Sequence, residues 1–66
     1  MKMYECNKSF KTTLFTDETK RITIEKGTLW YTVKQYKGDN YTVLSNNRME
    51  LKVANNILNT HFDKWG

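Results

Sequence analysis

Between Arg21 and Val53 the chain carries four β-forming runs, each set off from the next by a tight-turn signal. That punctuation restricts the fold more than any other feature. Arg21 to Glu25 alternates polar and apolar residues, with Ile22 and Ile24 on one face, and reverses through Glu25-Lys26-Gly27-Thr28. Leu29 to Tyr36 is built from strand formers and stops at Lys37-Gly38-Asp39-Asn40. Tyr41 to Ser45 is again β-rich, and Asn46-Asn47 supplies the residue types that accept positive φ in a hairpin loop. Arg48 to Val53 then alternates with Met49, Leu51 and Val53 on one face. Short strands at such even spacing predict a small barrel or sandwich.

The two ends read differently. Met3 to Cys6 and Phe10 to Phe15 are candidate strands without clean alternation, joined by loops at Asn7-Lys8-Ser9 and Thr16-Asp17-Glu18-Thr19. Past Val53, Asn55 is the residue type that caps a helix, and Ile57, Leu58, Phe62 and Trp65 fall at offsets that make one helical stripe. The expectation is a closing helix from about residue 55 to 64. The predicted core is Ile22, Ile24, Val33, Val43, Met49, Leu51, Val53, Leu58 and Phe62.

Sixty-six residues leave room for a single domain, with no repeat or linker to divide it. Cys6 is the only cysteine, so no intrachain disulfide staples the fold, and no Cys or His pair has metal-ligand spacing. The bulk of the core must come from the two Trp, four Tyr and three Phe. No charged segment followed by an apolar stretch opens the chain, and its apolar runs are far too short to span a membrane. The expected compartment is the cytoplasm. The Lys-, Asn- and Thr-rich composition suits a product of a low-GC bacterium, its phages or its mobile elements.

The pattern from Ile22 to about Leu58 resembles the Src homology 3 domains and their barrel relatives. Ile22-Thr23-Ile24-Glu25-Lys26-Gly27 is similar to that family's strand and diverging turn, and Asn46-Asn47 stands at its distal turn. Ala54-Asn55-Asn56-Ile57 stands where the family usually has Pro-Ser-Asn-Tyr before its last short strand. The resemblance implies a barrel of about five strands. It also implies loss of the polyproline groove, whose aromatic walls are replaced by Asn40 at the tryptophan position, Ala54 at the proline and Ile57 at the tyrosine. The family's domains end in a strand, so a helical stripe through Trp65 departs from it.

The chemistry-bearing residues point away from catalysis. Cys6 and His61 are the only thiol and imidazole, with no third group in a recognisable pattern to orient the base. Asp17-Glu18, the one adjacent acidic pair, reads as solvated loop, and Gly27, Gly38 and Gly66 are too isolated to cradle a phosphate. No cofactor is expected. Two binding classes remain. A protein partner is favoured, docking on a surface that includes Phe62 and Trp65 of the terminal stripe, which is also the surface for a homodimer. The alternative is nucleic acid, drawn to a net charge of +4 and to a platform of Trp30, Lys34 and Tyr36 on one face of the second run. Trp30 is the ambiguous member: the family pattern buries it, while alternation with Leu29 and Val33 inward exposes it.

Overall fold

The computed structural model describes residues 2–65. They form β1 (Met3–Cys6), β2 (Phe10–Leu14), β3 (Arg21–Ile24), β4 (Leu29–Tyr36), β5 (Tyr41–Ser45), β6 (Glu50–Ala54), the helix α1 (Asn55–His61) and β7 (Phe62–Trp65). All seven strands belong to one antiparallel sheet, ordered β3-β2-β6-β5-β4-β1-β7, which curls into a half-barrel. The fold is mainly β as expected, with seven strands where five were predicted because both uncertain N-terminal runs are strands and the chain ends on another.

The hairpin of β5 and β6 forms where its alternation predicts, pairing Thr42 with Val53 and Leu44 with Leu51. Of the two turn asparagines only Asn47 takes positive φ, at 73°. Asn46 instead accepts the backbone N–H groups of Arg48 and Met49 on its side-chain oxygen, at 3.0 and 3.1 Å. Gly27 sits at φ 93° in the turn before β4, a conformation open to glycine and strained for larger residues.

Opposite residues of an antiparallel pair point to the same face, so the register sorts every side chain. The inner face carries the buried cluster of Tyr4, Cys6, Ile24, Trp30, Leu44, Leu51 and Val53, closed by Leu58 and Phe62. Phe10, Leu14, Ile22, Met49 and Ile57 are partly buried around it. Ile22 and Met49 are therefore border residues of the core, and Tyr4, Cys6, Trp30 and Leu44 are members the alternation did not select.

Three expectations are corrected. Val33 is 48% exposed, not core, because β4 bulges there: Thr32 pairs with Leu44 and Lys34 with Val43, leaving Val33 as the extra residue. The helix stops at His61, and Phe62 to Trp65 pair with β1 from Cys6 to Met3. A free strand edge overrides the helical spacing, and the described residues end on a strand instead of a helix. Asn55 is no cap either. Ala54 holds the capping position without a side-chain bond, while Asn55 Oδ1 accepts from the buried Thr42 hydroxyl at 2.8 Å and its backbone N–H reaches the Asn40 carbonyl at 3.0 Å.

Candidate functional site: an aromatic and lysine cluster on the outer sheet face

Of the five residues expected at a partner surface, the structure brings Lys34 and Tyr36 together and separates the others. Trp30 is buried, 3% exposed, and its indole N–H donates to Thr28 Oγ1 at 2.9 Å. Its partner role is corrected because the bulge follows it: β4 enters the sheet with Trp30 inward and leaves with Lys34 and Tyr36 outward. Phe62 is 5% exposed and meets Tyr4 and Phe10 edge to face, so it is a core residue. Trp65 remains half-exposed at the β7 edge of the sheet, on the outer face by its register with Met3 and Tyr31, where its indole N–H donates to Glu5 Oε1 at 3.0 Å.

Lys34 and Tyr36 belong to a larger cluster built on β4, β5 and β6. Tyr36 and Tyr41 face each other across the Lys37 to Asn40 turn and stack with centroids 4.7 Å apart and planes 20° from parallel. The Lys34 ammonium lies over the Tyr36 ring at 4.9 Å, and the Lys52 ammonium lies over the Tyr41 ring at 4.7 Å. With each ring stacked on the other tyrosine, each ammonium takes the remaining side. The order is Lys34, Tyr36, Tyr41, Lys52. Phe15 joins from the end of β2, its ring 6.2 Å from Tyr36 and 6.4 Å from Tyr41.

This cluster covers Val43. By register Val43 shares the outer face with Lys34 and Lys52, its neighbours on either side, yet it is only 1% exposed and does not belong to the inner cluster. Phe15 extends over its row to reach the tyrosines. The outer face thus has a small apolar site of its own, roofed by three half-buried rings.

The charges at the two ends differ. Lys52 Nζ donates to Glu18 Oε1 at 3.0 Å, the one salt bridge among the described residues, and this bond holds the Lys52 ammonium above the ordinary lysine pKa. Lys34 is exposed and has no carboxylate partner among the described residues.

Beside the cluster, β2 and β6 pair only at Thr13–Lys52 and Leu14–Leu51 and then diverge. A groove of about 580 Å³ opens between them. Asn40, Ala54 and Ile57, the three positions the resemblance assigns to the lost polyproline groove, all line it. Its aromatic residues, Phe10 and Tyr41, and its charges, Lys11, Lys52, Glu18 and Asp39, come from positions the resemblance does not assign.

Phe15, Tyr41 and Lys52 were missed from sequence. Tyr41 and Lys52 were legible in principle, since Tyr41 closes the turn opposite Tyr36 and Lys52 alternates outward between Leu51 and Val53. Nothing in the sequence places the Phe15 ring over a distant strand. The surface proposed for a homodimer is corrected with the helix itself, because Phe62 is inside. The edge strand β7 is a poor substitute: antiparallel self-pairing that keeps its faces sets either Lys64 or Asp63 opposite its own copy, and like charges directly opposite are destabilising.

No group of three or more His, Cys, Asp or Glu side chains among the described residues is arranged to hold a metal ion. No helix among them is long and apolar enough to cross a membrane. Comparison with protein-family models, with curated proteins and with solved structures finds no match.

Proposed function

We propose that the protein is a small non-enzymatic binding module that docks on a larger protein, as an adaptor or modulator, through the outer face built on Tyr36, Tyr41 and Phe15. The observation that supports this reading is the half-exposed ring cluster, which lies outside the inner core and is flanked by lysines. Tyrosines that combine a large apolar area with few rotatable bonds suit an interface anchor. A cytoplasmic setting and a phage or mobile-element origin accord with the composition and belong to the same proposal. The test is capture of a partner from the source cells with the wild type, Tyr36→Ser and Trp65→Ala. The outer-face reading expects loss of the partner with Tyr36→Ser and retention with Trp65→Ala; the reverse pattern sinks it.

The resemblance to Src homology 3 domains would move the contact into the groove, but Asn40, Ala54 and Ile57 do not provide the family's aromatic walls. A Pro-x-x-Pro peptide is expected not to bind there. Saturable chemical-shift changes at those three residues would count against that expectation.

Nucleic acid is the second reading, favoured by the meeting of Lys34 and Tyr36 with a further tyrosine and lysine. It requires rings with a free face for bases, and each tyrosine here has a ring on one side and an ammonium on the other. Any DNA or RNA binding should therefore be weak and fall steeply with salt, with a log-log slope near −0.9 for each phosphate neutralised on duplex DNA. Sub-micromolar binding in physiological salt, removed by Lys34→Glu and Lys37→Glu in folded protein, would replace the docking proposal with this one.

A further inference from the structure

We infer that the Lys34 end of the tyrosine stack is the subsite for an acidic side chain of the partner protein, an inference that rests on the outer-face docking reading above. The argument is the asymmetry of the stack. At one end Tyr41 carries an ammonium, and that ammonium is bonded to a carboxylate, Glu18, at 3.0 Å. At the other end Tyr36 carries an ammonium at 4.9 Å, and no carboxylate of the described residues completes it. The chain thus displays at Lys52 the arrangement that Lys34 lacks.

Three properties make Lys34 receptive. It stands on a strand fixed by pairing with Val43, so its backbone is ordered before binding. Its ammonium is drawn over the Tyr36 face, which restrains a side chain that otherwise loses rotamer entropy when it pairs. The bulge at Val33 sets it on the outer face instead of the inner one. An ammonium already placed above a ring favours a carboxylate from a polypeptide over a nucleobase, because the base would have to displace it to stack.

The spacing limits the ligand further. Laid end to end, the spacings of 4.9, 4.7 and 4.7 Å put the two ammonium groups at most about 14 Å apart, the reach of about four residues of extended chain. An extended segment with acids two or four residues apart presents both on one side, one to Lys34 and one to Lys52 in competition with Glu18. An apolar residue between them would lie along the edges of the stacked rings.

The experiment is a titration of the labelled full chain by two-dimensional NMR with acetyl-Gly-Glu-Gly-Leu-Gly-Glu-Gly-amide. The same peptide with both glutamates replaced by lysine and an oligothymidylate serve as comparisons. Low salt is used first and physiological salt second, since exposed pairs are screened. The expected result is saturable shifts centred on Lys34, Tyr36 and Tyr41 with the acidic peptide only. Binding should be about tenfold weaker in Lys34→Glu and largely kept in Lys34→Arg, both with wild-type dispersion elsewhere in the spectrum. Glu18→Gln should strengthen binding, because it frees Lys52 for the second carboxylate. The inference is overturned if the acidic peptide gives no saturable shifts, if the shifts lie away from the stack, or if oligothymidylate binds the stack more tightly. Should it fail while Tyr36→Ser still abolishes partner capture, the outer-face reading stands and only its acidic chemistry is lost.

Discussion

The two faces of this one sheet bury apolar groups by different means. On the inner face strands, helix and β7 converge, so Leu44 and Leu51 are closed in by elements brought from distant parts of the chain. On the outer face Val43 is equally buried, but it lies between Lys34 and Lys52 in the register and beneath side chains alone, the rings of Phe15, Tyr36 and Tyr41. Burial alone does not make a residue part of the core. A side-chain roof can be opened without unfolding the sheet beneath it, whereas the inner cluster opens only with the fold. The face that can open locally is also the one that offers a surface to a partner.

The largest effect should come from the inner face. Leu51→Ala removes a fully buried side chain and is expected to cost about 2–5 kcal/mol, a large share of the stability of a domain this small. Urea unfolding followed by tryptophan fluorescence measures it, with buried Trp30 as the inner-face reporter. An unchanged midpoint would mean that the faces are assigned backwards. Val43→Ala should cost less, about 1–2 kcal/mol for the lost methyl groups, because side chains above it can settle into the space. If the two variants prove equally costly, the outer site is an integral part of the core and the contrast between the faces disappears.

Cys6 tests the inner face through pH. It is fully buried, and burial pushes its thiol above the ordinary value of 9.0. The unfolded chain therefore releases this proton at a lower pH than the native one. Its contribution to stability is complete below the ordinary thiol range and is lost as pH rises through the raised native value. In Cys6→Ala that part of the alkaline loss should vanish. In the wild type a thiol reagent should react only as fast as the domain unfolds. Rapid labelling of native protein at neutral pH would show that β1 opens locally and that the inner face is less sealed than the outer one.

How much of this was legible in sequence follows from where local pattern and tertiary context agree. The β5–β6 hairpin agreed at every level: alternating Leu51 and Val53, a turn-forming Asn46-Asn47 and strand-forming flanks, so its position and facing could be read directly. At the C-terminus the levels conflicted. Ile57, Leu58, Phe62 and Trp65 have helical spacing, but β1 presents an edge that pairs from Cys6 to Met3, and backbone ladder bonds win over a side-chain period. The functional cluster was half legible. Lys34 and Tyr36 share a strand face that simple alternation reveals, and Lys52 alternates outward on the readable hairpin, while Phe15 arrives by packing between strands that sequence spacing does not relate.

The smallest expected effect is the one that separates these two kinds of information most cleanly. Alternation along Leu29, Tyr31 and Val33 makes Val33 a core residue, and a core valine exchanged for threonine would bury an extra hydroxyl at a cost of about 1–3 kcal/mol unless it found a partner. The bulge instead leaves Val33 unpaired with β5 and 48% exposed, so its side chain already meets water and a hydroxyl there can be hydrated. Threonine also keeps the β-branched shape that suits a strand. Val33→Thr should therefore change the urea midpoint by no more than the equivalent of about 0.5 kcal/mol, and Tyr36 and Tyr41 should keep their wild-type aromatic shifts. A loss of 2 kcal/mol or more, by the large-effect scale for single substitutions, would show that β4 runs without the bulge. Trp30 would then share the outer face with Lys34 and Tyr36, and the inner cluster could not form as described.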